Sequence, residues 1–219
     1  CKTRRQRQMC IRDRGTTVTA IDGEGSAVLC VLRKLEGGWG LVYMDDVQSK
    51  STPSLTQIHL ECALLKAPAM ELVIQKSVEL GVQELTPVIT QFSVVQSKGQ
   101  KQLDRWQRIA DQALKQCNRL QRLEIQPAIA LHELLHSRPP NRRFWFDESA
   151  PQSTSNAFLN QIAKTSVGNP ISLLIGPEGG WSDTERTELS SSPALCCTLG
   201  GFTLRSETAA ICAISGAAL

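Results

Sequence analysis

The chain has 219 residues, of which 41% are hydrophobic and 21% charged, with a mean hydropathy of −0.16. That balance suits one or two globular domains and excludes a wholly disordered, collagenous or coiled-coil chain; no run approaches the ~18 apolar residues that cross a bilayer, and nothing resembles a secretory signal. The net charge of +3 rests on residues 1–14, which hold six basic residues and one acidic; the rest has 18 Lys and Arg against 20 Asp and Glu, so overall charge is no argument for nucleic-acid binding.

Residues 1–14, CKTRRQRQMCIRDR, begin at Cys1 and show no apolar period. They read as run-on translation of a sequencing adaptor, with a native basic tail as the alternative. Residues 15–47 read as β-structure: TTVTAI alternates, Asp22-Gly23 signals a turn, AVLCVL is a second strand, and Gly37-Gly38 turns into WGLVYM. This is little chain for a stable sheet, so part of an N-terminal domain is expected to be missing. QSKSTPSLT at 48–56 reads as a polar linker.

Strands and helices then alternate. IHLECALL is a strand. Ala69–Leu80 is a helix with Met70, Val73, Ile74 and Ser77 on one face and Gly81 as its stop. ELTPVIT is a short strand. Leu103–Arg119 is an amphipathic helix presenting Trp106, Ile109, Ala110, Ala113, Leu114 and Cys117. LEIQPAI is extended, and LHELLH is a short helix stopped by Pro139-Pro140. FWF is a strand ending at Asp147-Glu148, Ala157–Ala163 is helical, and ISLLI is a buried strand before GPEGG. Ser182 and Glu185 form a capping box. CCTL is a strand before GGFTLR, and Ser206-Glu207-Thr208 opens a last apolar helix. This order predicts an α/β domain with a mostly parallel sheet.

Eight cysteines suggest disulfides or metal, but two lie in residues 1–14 and the other six sit singly or adjacently in apolar surroundings, none in a C-x-x-C pair. They read as reduced, packed cysteines of a reducing compartment. His132-Glu133-Leu134-Leu135-His136 matches a zinc-hydrolase pattern. That chemistry needs a third ligand and a longer helix, so a surface helix with Leu131, Leu134 and Leu135 facing inward is the better reading. Lys98–Arg143 holds ten Lys and Arg against four Asp and Glu, either a solvated face or a phosphate contact. Near the C-terminus two units repeat one plan, LLIG-PEGGWSDTE and CTLG-GFTLRSETA: a strand, a glycine turn, then a helix start. Ligands of α/β sheets sit beyond the carboxyl ends of strands, and glycine lets backbone approach them closely.

LLIGPEGGWSDTE followed by TLGGFTLRSETAA resembles the C-terminal signature of the ribosomal RNA small subunit methyltransferase E family, part of the SPOUT superfamily of knotted methyltransferases. MELVIQKSVELGVQELTPVIT and RWQRIADQALKQCNRL are similar to that family's preceding blocks, and the IDG turn to the end of its PUA-like β-domain. The likeness covers nearly all of residues 15–219. Departures are Gln91-Phe92 where the family has Glu-Arg, Gly200-Gly201-Phe202 where it has Gly-Pro-Arg, and Lys115 where it has an acidic residue.

The resemblance implies a knotted SPOUT domain over 57–219, truncated at its C-terminus, after a truncated PUA-like domain over 15–50. It implies S-adenosylmethionine-dependent methylation of N3 of one uridine in 16S-type rRNA. The partner would be the rRNA or the small subunit, with no metal and no membrane, in the cytoplasm or, in a eukaryote, an organelle. A homodimer follows from the resemblance and from the apolar helix AAICAIS. Cofactor contacts fall on Leu174, Gly176, Pro177, Gly179, Gly180, Leu199, Gly200, Leu204 and Arg205, with Leu199 and Leu204 flanking the adenine. Arg205 is the candidate stabiliser of the uridine anion; Glu178 or Glu207 accepts the proton or caps a helix. Lys76, Lys115 and Arg119 are the candidate RNA contacts. Two rivals are a zinc hydrolase using 132–136 and a catalytically silent RNA-binding relative.

Overall fold

Three antiparallel strands open the structure: β1 (Thr17–Ile21), β2 (Ala27–Leu35) and β3 (Gly38–Asp46). The Asp22 carboxylate accepts the Glu24 and Ser26 N–H groups and closes the first turn, where Gly23 and Gly25 take the left-handed φ of 87° and 111°. This turn docks on the larger domain, where Arg122 N–H donates to Gly23 O at 2.8 Å. The computed structural model describes residues 17–46, 57–93, 99–137, 142–151, 153–163 and 170–218. The expectations for residues 1–14, the linker 48–56, Lys98, the Pro139-Pro140 stop and the chain end at Leu219 lie outside the described residues.

The larger domain carries β4 (Ile58–Ala63), α1 (Ala67–Glu79), β5 (Glu84–Ile89), α2 (Gln100–Cys117), β6 (Glu124–Ile125), β7 (Ile129–Ala130) and α3 (Leu131–Ser137). It continues with β8 (Arg143–Phe146), α4 (Ser153–Ala163), β9 (Ile171–Ile175), α5 (Asp183–Ser191), β10 (Leu195–Cys197) and α6 (Ser206–Ala218). All its strand pairs are parallel, in the order β10-β8-β9-β4-β5-β6, with β7 also on β5. The expected parallel α/β architecture is therefore present. Pro87 in β5 has no N–H to donate, and the neighbouring strand breaks into β6 and β7 opposite it.

The strands are buried on both faces. Phe144, Phe146, Leu173, Ile175, Leu60 and Cys62 meet the apolar faces of α1, α2, α4 and α6. Trp145, Leu174 and Val88 point the other way and meet Leu131 and Leu134 of α3 and Leu189 of α5. On α1, Met70, Val73, Ile74 and Ser77 are buried as the spacing predicted. On α2, Trp106, Ala110, Ala113 and Leu114 are buried, whereas Cys117 is exposed at the helix end. On the second face Arg143 of β8 reaches across β9 to Glu61 of β4, with Nε–Oε2 at 2.7 Å and both side chains buried. This ion pair has no local sequence signal, since its partners lie 82 residues apart. All six described cysteines are free.

Candidate functional site

The chain leaves β4 toward β5 and leaves β9 toward β10, in opposite directions along the sheet. At such a reversal the loops beyond the strand ends diverge and leave a crevice. A crevice of about 500 Å³, open mouth included, lies on the β9 side of that reversal, beyond the carboxyl ends of β8, β9 and β10. Its walls come from the loop after each strand and from the start of α6.

Both glycine turns found in the sequence reach this crevice. Gly176, Pro177 and Gly180 line it from the first, and Leu199 and Leu204 from the second. Leu174 does not; it is fully buried one residue below, against Trp145 and Trp181, while its neighbour Ile175 faces the crevice. Gly179, Gly200, Glu178 and Arg205 belong to the turns but do not form the wall. The turns are shaped by backbone: Gly180 has φ +70° and Gly200 φ +129°, values that disfavour a side chain. At Gly176 the reason is space, because a Cβ would stand 2.9 Å from the Trp181 ring. That ring is buried and its Nε1–H donates to Phe146 O at 2.9 Å.

Part of the wall was missed from sequence. Phe146 ends β8 and Asp147 and Glu148 follow it, while Thr198, Ser206 and Ala209 complete the far side beside Phe202 of the second turn. Asp147 is engaged: Arg186 Nε lies 2.7 Å from its Oδ2, and Ser149 donates to Oδ1 from both N–H and hydroxyl. Burial raises its pKa, but the Arg186 and Ser149 hydrogen bonds outweigh this and hold the carboxyl below its ordinary range. Glu148 has only a long contact to Arg186, at 3.8 Å. The signal was available, since the rule placing ligands beyond strand ends applies equally to FWF and the Asp147-Glu148 that ends it.

Glu178 is exposed, and its Oε1 lies 3.4 Å from the Lys66 N–H at the start of α1, a long N-terminal capping contact. Cys62, buried near the end of β4, is pushed up to about 12 by its burial and then by the charges of Glu178 and Glu207. Arg205 is exposed between Leu204 and Ser206, which both line the crevice, and it makes no ion pair with either acid. Lys76 pairs with Glu79 at 2.7 Å. Lys115 is exposed on the last turn of α2. Arg119 is half-buried and donates from Nη1 to Val78 O, closing the end of α1.

In HELLH, His132 and His136 are exposed and Leu131 and Leu134 are buried, the surface-helix arrangement. Among the described residues no group of three His, Cys, Asp or Glu side chains could hold a metal ion. Nor does any described helix have the length and apolarity to cross a membrane.

A family model described as an RNA methyltransferase domain matches residues 52–218. The ribosomal RNA small subunit methyltransferase E of Buchnera aphidicola subsp. Schizaphis graminum is 33% identical over 172 residues, covering 77% of this chain and 67% of that protein. The Bacillus subtilis protein of the same name is 29% identical over 164 residues, or 73% of this chain, which spans 64% of that relative's length. The crystal structure of ribosomal RNA small subunit methyltransferase E from Neisseria gonorrhoeae bound to S-adenosyl methionine superposes with a TM-score of 0.80 at 27% identity, covering 97% of this chain and 86% of that one.

Proposed function

The chain belongs to the RNA methyltransferase domain family and, within it, to the ribosomal RNA small subunit methyltransferase E family; from that premise we propose that it methylates N3 of a uridine in small-subunit rRNA using S-adenosylmethionine. The observation that carries this reading is the crevice beyond the carboxyl ends of β8, β9 and β10, walled by both glycine turns. Its residues fit the cofactor. Ile175, Leu199 and Leu204 offer an apolar slot for a flat base, and Gly176 and Gly180 shape the turn beside it. Glu148 supplies a carboxylate at the rim for hydroxyl or cationic groups.

When bound, S-adenosylmethionine supplies a methyl group already activated by its sulfonium. The protein's task is to make the uridine nucleophilic. N3 of uracil has a lone pair available for attack only once its proton leaves, and the charge left behind spreads onto two carbonyl oxygens. Arg205, which follows the second turn and has no acidic partner among the described residues, is suited to donate to those oxygens. Glu178 either accepts the N3 proton or serves only as the cap of α1; its bond to Lys66 favours the cap. Lys115 stands at an exposed position and Lys76 at a half-buried one beside Glu79, and from these they contact RNA phosphates.

The knot, the PUA-like identity of β1–β3 and the homodimer enter through family membership. For the dimer the apolarity of α6 is no independent support, because Ala210, Ala213, Ile214 and Ala217 are already buried within the chain. Six free cysteines accord with a reducing compartment, the cytoplasm. Two measurements test the reading. Calorimetry of the purified chain should show S-adenosylmethionine binding in the micromolar range. Unmodified small subunits incubated with chain and cofactor should acquire a reverse-transcription stop, because an N3 methyl blocks Watson–Crick pairing. Absence of binding overturns the reading; binding without a stop leaves the silent RNA-binding relative.

A further inference from the structure

Residues 57–218 contain eight aromatic side chains, and six of them, Trp106, Phe144, Trp145, Phe146, Phe158 and Trp181, are buried. The other two, Phe92 and Phe202, are exposed: Phe202 belongs to the second glycine turn, and Phe92, on the loop after β5, packs against the first. Phe92 packs on the first turn: its Cβ lies 3.0 Å from where a Cβ on Gly179 would stand, and its side chain is 43% exposed. Phe202 lies within the second turn, lines the crevice and is 88% exposed. Single exposed apolar residues are ordinary on a protein surface. Two exposed phenyl groups, one lining the crevice and one packed against the turn beside it, in a domain that otherwise buries every Phe and Trp ring, are not a scattered pair.

We propose that Phe202 and Phe92 form a stacking platform that holds unpaired bases of single-stranded RNA at the crevice mouth. The proposal rests on the reading that the chain acts on RNA. An enzyme working on an atom of the Watson–Crick edge must take its base out of the duplex or meet it already unpaired. An unpaired base offers two flat faces that prefer an aromatic surface to water, and such stacking is indifferent to sequence. A phenyl group carries no donor and no charge, so these two residues position bases without contacting phosphate. They act as positioning residues and take no part in proton transfer.

The test uses a fluorescein-labelled oligouridylate titrated into the full chain and followed by anisotropy. Phe202→Ala and Phe202→Leu should each weaken binding by roughly tenfold or more, the loss typical of one stacked base. Phe202→Tyr, which keeps the ring, should retain wild-type affinity. Phe92→Ala should weaken binding in the same sense, with melting temperatures reporting that each variant is folded. The slope of log affinity against log salt should stay unchanged, because no phosphate contact is removed. Wild-type affinity in Phe202→Leu overturns stacking, since apolar contact alone would then suffice. A loss of S-adenosylmethionine affinity without a loss of RNA affinity in Phe202→Ala also overturns it, by assigning the ring to the cofactor wall. If the wild-type chain binds no oligonucleotide, the platform fails, while the methyltransferase reading stands or falls separately on calorimetry with S-adenosylmethionine.

Discussion

Arg205 and Gly176 sit on different turns of one crevice and fail in different ways when changed. Arg205 is exposed and has no acidic partner among the described residues, so its removal leaves no orphaned buried charge there. Arg205→Ala is expected to melt like the wild type and to bind S-adenosylmethionine nearly as well. It should lose methyl transfer by roughly a hundred- to a thousandfold, the typical effect of deleting one preorganised donor. Single-turnover rates read from the reverse-transcription stop check this, and a near-wild-type rate would remove Arg205 from the mechanism. Gly176 is the opposite case. A Cβ there meets the Trp181 ring at 2.9 Å, and that ring is pinned by its bond to Phe146 O. Gly176→Ala should therefore cost about 1–3 kcal/mol of stability through overpacking and weaken cofactor binding together with it. A variant that melts normally would show that the ring yields more easily than its burial implies.

Two contacts tie α5 to neighbouring strand ends. Glu185 completes the capping box with Ser182, and its other oxygen accepts the Gln91 N–H at 2.8 Å, joining the helix to the loop after β5. Asp147 joins the end of β8 to Arg186 of α5. A carboxyl held lower in the folded than in the unfolded chain contributes stability that is fully present above its unfolded value, and loses it as pH falls through the folded one. Asp147→Asn should accordingly lower the melting temperature at neutral pH, by about 1–3 kcal/mol in stability terms. The gap to wild type should close below about pH 4; a gap constant across pH would mean that Asp147 contributes shape and not charge. The capping box was legible in the sequence because all its parts lie within four residues. The helix Ser153–Ala163 was legible only from Ala157 onward. Its first turn is polar and carries no apolar period, and it is fixed from outside: Thr154 donates to Pro151 O and accepts the Thr198 N–H. The glycine turns were found for the same local reason as the capping box. Asp147 and Glu148 end a strand that the sequence does show, FWF; what no local pattern carries is that β8 lies between β9 and β10, which brings that strand end into the crevice.

Over the whole molecule, the basic stretch shows how a count of charges misleads. Of the ten Lys and Arg in residues 98–143, Arg143 is buried against Glu61, Arg122 pairs with Asp111 at 3.0 Å, and Arg105 pairs with Glu71. Arg142 and Arg108 donate to the backbone carbonyls of Gln161 and Asp104. Arg119, a candidate RNA contact from sequence, holds Val78 O at the end of α1 instead of standing free in solvent. Lys115 is different, an exposed ammonium on the last turn of α2. The sequence pairs Lys115 and Arg119 as equals because they are four residues apart; the fold separates them, one facing water and one closing a helix. Reversing each should give distinct signatures. Lys115→Glu should leave the melting temperature unchanged, weaken RNA binding, and reduce the slope of log affinity against log salt by about one unit, as losing one phosphate contact does. Arg119→Glu should first lower the melting temperature, because it puts a carboxylate against the carbonyl end of α1, where negative charge is unfavourable. Its RNA affinity should be compared at a temperature where the variant is fully folded. An unchanged salt slope in Lys115→Glu would remove that face of α2 from the RNA interface. An unchanged melting temperature in Arg119→Glu, with a reduced salt slope, would show that Arg119 leaves Val78 to meet phosphate.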